Sequence, residues 1–585
     1  MIQTIPAKCS SELLLVDANT LHEAGNKHPA GHLSTKILPD FMKRAGRIAF
    51  GKSSASAILR GRHLKWRRKV LSQSERLQSV AIMTAAACDV LIIGSGFSGS
   101  LLGWILASRG RRVLLVDAAR HPRFAIGESS TPTADFLLAH LADRFRLPAL
   151  APLACWGTWK RRYPDLHCGK KRGFSYYRHH PGQPYADDPQ HSQSLLVAAS
   201  VADEWSDTHW LRSSVDSFLA GQAVQAGCEL LQDTRLERLE RQGDGVWRAQ
   251  LKSASAGTDG ELRTVHCTWC VDASGPGNAL SRFINNPPQE SWLRTRSQAI
   301  FGHFTNIPGF IEAAAADDTF CGDDAAQHHV LENGWCWMLR MDHGVTSVGL
   351  VEPARGWRGL PKDHFARETA RYPSLRGLLQ HARLIAPAGG LGSATRLSRC
   401  RRHATGPGWV LLPLTYGFID PLHSSGIAHA ISGVLRIADA LLANADETNR
   451  LLATYASDLR RELEWLDVLT AGCYRAQPSF RCFRAFAMFY FLAAIGFEKQ
   501  LAADPTSWPL GYLQSADWEL KEVASHALQQ LTQGPALTSA DAEQQFEDGI
   551  RRGIARWNHV GLLDTRLNNR IAHTAPPKYA AIAVR

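Results

Sequence analysis

The stretch CDVLIIGSGFSGSLLGWILASRG, Cys88 to Gly110, followed by RRVLLVD ending at Asp117, decides the fold. Val90 to Ile93 is a short apolar run of the kind that forms a buried parallel strand. It runs into Gly94-Ser95-Gly96-Phe97-Ser98-Gly99, a G-x-G-x-x-G loop. Leu101, Leu102, Ile105 and Leu106 then recur at helical spacing up to Gly110, a natural helix stop. A second apolar run, Val113 to Val116, ends on Asp117. Strand, glycine turn, helix, strand and acid follow in the order that a dinucleotide site requires. Gly94 permits the tight turn, Gly96 lets the backbone approach a pyrophosphate, and Gly99 lets the helix pack on the strand. The helix N-terminus directs unpaired N–H groups and the positive end of its dipole at the phosphates. Asp117 stands where a carboxylate accepts hydrogen bonds from the adenosine ribose.

Further landmarks lie downstream. Pro122, Gly127 and Pro132 mark a loop that crowds Glu128, Ser129, Ser130 and Thr131 near the first strand pair. Residues 133–147 read as an amphipathic helix. Residues 155–180 are dense in rings and cations, which suits either a flavin or substrate wall or a twisted surface hairpin. Leu195 to Ser200 is strand-like, and a helix containing Arg212 and Asp216 is predicted over 206–227. Strands are predicted around 229–238 and 246–252. The run from Val265 to Asp272-Ala-Ser-Gly275 is again a strand ending in an acid and a small-residue turn, a second crossing of the same sheet. Residues 298–355 read as β-rich. Trp335 and Trp337 share one face of a strand there, either as a cavity wall or, by preference, as core. Trp409 to Pro413 is another short strand. It leads through Gly417, Asp420-Pro421, His423 and Ser424-Ser425-Gly426 into a long apolar helix. The remainder, 446–585, reads as helical.

The predicted class is α/β: a Rossmann-like nucleotide domain over 83–297 and 385–445, a β-rich substrate domain over 298–384, and a helical C-terminal region. The 585 residues carry a formal charge of +12, which looks like a nucleic-acid signal until it is located. Residues 1–82 hold 14 Lys/Arg against 5 Asp/Glu. The basic character therefore belongs to that N-terminal extension, expected to be disordered or not native with Met83 as the start, and no nucleic-acid partner is expected. No run reaches the roughly 18 apolar residues of a membrane span, and Phe483 to Phe497 reads as a buried or interfacial helix. The twelve cysteines are read as scattered, without a C-x-x-C pair or metal-ligand spacing, which fits reduced thiols in a cytoplasm better than a disulfide framework. His179-His180 and His328-His329 are adjacent pairs whose side chains diverge, so no metal site is expected.

In this order, Gly94 to Gly99 with Asp117, Arg212 with Asp216, Asp272 to Gly275, and Gly417 with Asp420-Pro421 resemble the FAD-dependent monooxygenase superfamily with the glutathione-reductase-type fold. Gly127-Glu-Ser, Trp335-x-Trp337 and Asp420-Pro-Leu-x-Ser-x-Gly-Ile427 look most like its flavin-dependent halogenase branch. The likeness spans roughly 88–445. It implies FAD as cofactor, with Gly94, Gly96, Phe97, Ser98 and Gly99 on the pyrophosphate and Asp117 on the ribose. It also implies that Glu128, Ser129, Arg212, Asp272 and Gly275 lie beside the cofactor. Asp420 would sit near the ribityl chain, and Ser425 and Gly426 would face the flavin ring. The implied chemistry uses reduced FAD and oxygen either to oxidise halide to hypohalous acid or to transfer oxygen to a substrate. That substrate is expected to be aromatic or electron-rich, free or bound to a carrier or peptide. The sequence departs from the family pattern at Leu339-Arg340, which replaces Ile-Pro, and at His423, which replaces Glu. The family's activating lysine is placed at Lys160, with Lys170 and Lys171 competing, and His423 is the second catalytic candidate. With no convincing second strand-glycine-helix motif, two electron sources stay open: a separate flavin reductase, and direct transient NAD(P)H binding. Three alternatives remain: an oxygen-independent reductase of isoprenoid double bonds, a maturase that hydroxylates tryptophan in a partner protein, and a flavin-binding or RNA-associated protein without enzyme activity.

Overall fold

A computed structural model describes residues 86–254, 262–311, 318–357, 359–533 and 539–578. The chain divides into two units, Met1–Ile82 and Met83–Arg585. Every described residue belongs to the second, so the expectations for residues 1–82 and for Met83 lie outside the described residues.

Two sheets organise this unit. The first runs, in spatial order, through the strands Trp409–Leu411, Leu262–Asp272, Ala86–Ile93, Val113–Val116 and Glu229–Leu231, all parallel. Ile93 pairs with both Val116 and Asp272, so the ends of three strands converge at the glycine turn. Strands buried on both faces need apolar side chains throughout, and Val113 to Val116 are all buried. A hairpin of Thr234–Arg241 and Trp247–Ser253 pairs antiparallel with Leu262–Asp272. Helix Phe97–Ser108 packs against helices Arg212–Gln225 and Gly426–Leu442.

The second sheet has nine strands among the described residues. Its spine is Ser297–Thr305, Thr346–Pro353, Gly334–Arg340 and Ala326–Leu331, joined antiparallel. It is wider than the 298–384 interval. Gly173–Arg178 pairs parallel with Ala326–Leu331, Ser194–Ala198 pairs with Gly173–Arg178, and Arg570–Ile571 adds at the end. The ring-rich segment 155–180 is therefore neither a surface hairpin nor a simple wall. It contributes helix Trp156–Arg162 and two strands, Cys168–Lys171 and Gly173–Arg178, that enter different sheets. The helix predicted over 206–227 also starts later. Asp207–Trp210 is a buried strand paired with Cys168–Lys171, and the helix begins at Arg212 after the extended residue Leu211.

Helices Ala445–Ala476, Phe480–Ala503, Trp518–Gln533 and Ala540–Gly553 cover the C-terminal region. Asn444, Ser479 and Ser539 cap three of them by accepting from backbone N–H groups of the first turn. Phe480–Ala503 is long and apolar enough to cross a membrane, yet 89% of its most apolar stretch is buried inside the fold. Trp335 and Trp337 lie in the main core with their indole N–H groups bonded to Tyr474 and Ser347, as the preferred reading had it. The eleven described cysteines are unpaired. They include one C-x-x-C that the scattered reading passes over, Cys267 and Cys270, whose buried sulfurs stand 3.5 Å apart.

Candidate functional site

The glycine turn is built as its spacing demands. Gly94 has φ +107°, and a Cβ there would lie 2.6 Å from the Ala273 carbonyl oxygen. A Cβ on Gly99 would overlap the Gly94 carbonyl. Both positions exclude side chains, so helix, strand and the Asp272–Ser274 turn close on one another. Asp117 is buried at the end of its strand. Its carboxylate accepts from the N–H and hydroxyl of Ser95, at 2.8 and 2.9 Å, and from the Ala119 N–H at 2.9 Å. Burial works to raise its pKa, but Arg123 and these donors hold the Asp117 carboxyl below the usual range.

Around the helix N-terminus, Arg212 grips Asp216 through two bonds of 2.8 and 2.9 Å. It also donates to the carbonyls of Ile126 and Gly127 and lies over the Phe97 ring. It thus fastens the Gly127 loop to the glycine helix. Arg123, which the sequence reading did not single out, lies between Asp117 and Asp216 with its guanidinium 3.3 Å from where a Gly96 Cβ would stand, and its buried Nε lacks a partner among the described residues. An arginine six residues past the strand-ending acid was the only available signal.

The Gly127 loop continues as an added strand. Ser129 bridges His209, Ser130 N donates to Thr208, and Trp210 N donates to Glu128. Glu128 receives His303 Nε2 at 2.7 Å, which ties the loop to the second sheet. The buried hydroxyls of Ser129 and Ser130 have no partner among the described residues. Asp272 spends both carboxylate oxygens on its own turn, at Ser274 and Leu280, so it shapes the site. Gly275 takes φ +59° and donates to Thr415 Oγ.

Asp420 is buried and accepts from Leu422 N, Tyr474 Oη and Ser297 Oγ. Burial pushes its pKa up to about 6. Ser425 and Gly426 open helix Gly426–Leu442, and Tyr512 donates to the Ser425 carbonyl. These groups fit a flavin dinucleotide: a cradle closed to side chains, an acid for the ribose, an orphaned guanidinium nitrogen and two orphaned hydroxyls.

The two catalytic candidates do not meet. Lys160 is half-buried on helix Trp156–Arg162, donating to Asp342 at 2.5 Å and to the Pro164 carbonyl. Lys171 is fully buried at the end of a strand whose partner, Asp207–Trp210, also carries the Gly127 loop. Lys171 Nζ donates to Ser130 O at 2.5 Å, sits 4.0 Å over the Phe174 ring and lies 3.9 Å from Asp207. Burial lowers its pKa to about 8 against the pull of Asp207 and Asp135. Lys160 is engaged by Asp342 and the Pro164 carbonyl, whereas strand pairing sets Lys171 against the Gly127 loop at Ser130. His423 is stacked on Tyr490 at 4.4 Å beside Cys473, and burial lowers its pKa to about 3. A ring held neutral there is no proton carrier near neutral pH.

The histidine pairs diverge as expected. His328 bonds Leu422 O, while His329 meets His179 at 2.9 Å on the other face. His167, Asp342 and His343 bring possible metal-ligand atoms within 4.8 Å, but Lys160 already occupies Asp342.

A family model described as FAD dependent oxidoreductase matches residues 89–402. The chain is 29% identical over 403 residues to tetracycline 7-halogenase of Kitasatospora aureofaciens, covering 66% of this chain and 69% of that protein. It is 28% identical over 415 residues to monodechloroaminopyrrolnitrin halogenase PrnC of Pseudomonas fluorescens, covering 68% and 70%. The fold is similar to that of halogenase PltM solved in complex with phloroglucinol and FAD, with TM-score 0.71, 23% identity, and 83% and 99% of the two chains covered.

Proposed function

The chain belongs to the FAD-dependent oxidoreductase family, and from that premise we propose that it halogenates an electron-rich aromatic substrate, with Lys171 as the residue that delivers the halogen. When bound, reduced FAD would reduce oxygen to the peroxide level, the two-electron oxidant that turns halide into hypohalous acid with water as the other product. In this reading Gly94 to Gly99 hold the pyrophosphate, Arg123 adds a guanidinium to it, and Asp117 takes the ribose. Glu128, pinned by His303, fixes the loop that carries Ser129 and Ser130. Asp420 orders the Pro421–Gly426 turn through Leu422 N and Tyr474, and the Gly426 helix N-terminus favours a halide.

The observation that carries the reading is the Lys171 ammonium. An ammonium has three donors. Ser130 O takes one, leaving the others to hold the oxygen of hypohalous acid and turn its halogen towards the ring. The Phe174 ring under the ammonium and the full burial of Lys171 set this group in apolar surroundings, which keep water from consuming the oxidant. A separate reductase is the proposed source of electrons, and a carrier-bound aromatic is within the substrate class.

The test is product mass spectrometry. FAD-loaded protein, a flavin reductase, NADH and oxygen act on phloroglucinol with and without bromide. A brominated product that requires bromide is expected. A hydroxylated product formed equally without halide would move the assignment to oxygen insertion.

A further inference from the structure

A cavity of about 590 Å³ opens between the start of strand Ser297–Thr305, the end of strand Thr346–Pro353, and helices Ala445–Ala476 and Trp518–Gln533. Four guanidinium groups line it, those of Arg294, Arg296, Arg355 and Arg475, and no carboxylate does among the described residues. Arg294 reaches Asp467 at 3.7 Å. That carboxylate is already shared with the backbone N–H groups of Arg294 and Thr295. Arg296, Arg355 and Arg475 form no side-chain hydrogen bond or ion pair among the described residues. Some surface arginines are matched with acids, as Arg112 is with Asp89 and Arg161 with Glu204. A solvated face would show the same mixture, whereas here cations from three chain segments converge on one concavity.

The chemistry of the lining selects a ligand class. Guanidinium forks recognise planar or tetrahedral oxyanions through paired charged hydrogen bonds. The volume falls within the range of small-molecule sites. Val468, Ala471 and Leu528 supply an apolar wall for an organic body. Tyr474 closes one side, but its hydroxyl is committed to Asp420 and Trp335. The lining shares no residue with the Gly94–Gly99 cradle, so the phosphates of the cofactor are not its ligand. We propose that this cavity binds a small organic phosphate, its oxyanion held by Arg296, Arg355 and Arg475 and its body against the Leu528 wall. The site stands whether or not the enzyme transfers halogen.

The experiment is calorimetric titration of FAD-loaded protein with phenyl phosphate, and with phenol and inorganic phosphate in parallel. Phenyl phosphate is expected to saturate, to weaken as salt rises, and to bind more tightly than inorganic phosphate, with phenol giving no saturation. The double variant Arg355→Gln/Arg475→Gln should lower its affinity at least tenfold with FAD content unchanged. Inorganic phosphate binding as tightly as phenyl phosphate would overturn the organic ligand. Unchanged affinity in the variant, or no saturation by phenyl phosphate, would overturn the site. Should the variant fail to fold, phenylglyoxal labelling of the wild-type protein decides. Protection of Arg296, Arg355 and Arg475 by phenyl phosphate is expected, and equal labelling with and without it contradicts the proposal.

Discussion

Lys171 sits under opposing influences. Burial disfavours its charge, with the Lys578 ammonium adding to that, while the Asp207, Asp135 and Glu498 carboxylates favour it, and the balance leaves its pKa at about 8. Below that value the ammonium keeps the donors that the proposed chemistry uses. Above it, the neutral amine loses one donor and its charge. Halide-dependent turnover should therefore be level below about pH 8 and fall as pH rises through that value, measured with saturating bromide and reduced flavin. Turnover that climbs through the same range would mean that the neutral amine acts as a nucleophile. His423 contributes no inflection between pH 5 and 8, because its ring is already neutral there.

At the scale of elements, the C-terminal segment ties the site together. Arg570–Ile571 adds to the second sheet, Thr574 and Ala575 donate to Ala198 and Ala199, and Lys578 ends in the core. Its ammonium bonds Asp135, Asp207 and the Trp205 carbonyl, and Asp207 is the carboxylate that faces Lys171. Removing one partner of a buried pair leaves uncompensated charge and costs about 3–5 kcal/mol. Lys578→Met should lower stability to denaturant by that order, and a loss below about 1 kcal/mol would show that Asp135 and Asp207 are neutralised by other means. The same strand pairing explains a limit of sequence reading. Asp207–Trp210 was expected to be helical, and with that strand missed there was nothing to set the register of Cys168–Lys171. Lys160 then looked as good as Lys171. Asp207–Trp210 is only four residues long and buried throughout, so it carries no period-two alternation to set against the helical pattern that follows it.

For the whole molecule, what is local in sequence was legible and what is assembled from distance was not. Gly94 to Asp117 announces its strand, turn, helix and acid within thirty residues, and Asp272-Ala-Ser-Gly repeats the theme at a spacing that strand pairing confirms. The second sheet was visible only in its middle, because Gly173–Arg178, Ser194–Ala198 and Arg570–Ile571 join it from afar. The four arginines of the cavity lie up to 181 positions apart, between Arg294 and Arg475, and no spacing reveals them. The fold gives the two lysines different surroundings: Lys171 is fully buried against Ser130 O and the Phe174 ring, and Lys160 is half-buried and paired with Asp342. The decisive measurement compares Lys171→Met with Lys160→Met for bromide-dependent product per FAD reduced, with FAD content and stability checked in both. Loss of one oriented, charge-assisted contact to the oxidant should lower the Lys171→Met rate by about 100-fold or more, with Lys160→Met within about twofold of wild type. A Lys171→Met enzyme that brominates normally, with the Lys160→Met enzyme inactive, would contradict the account.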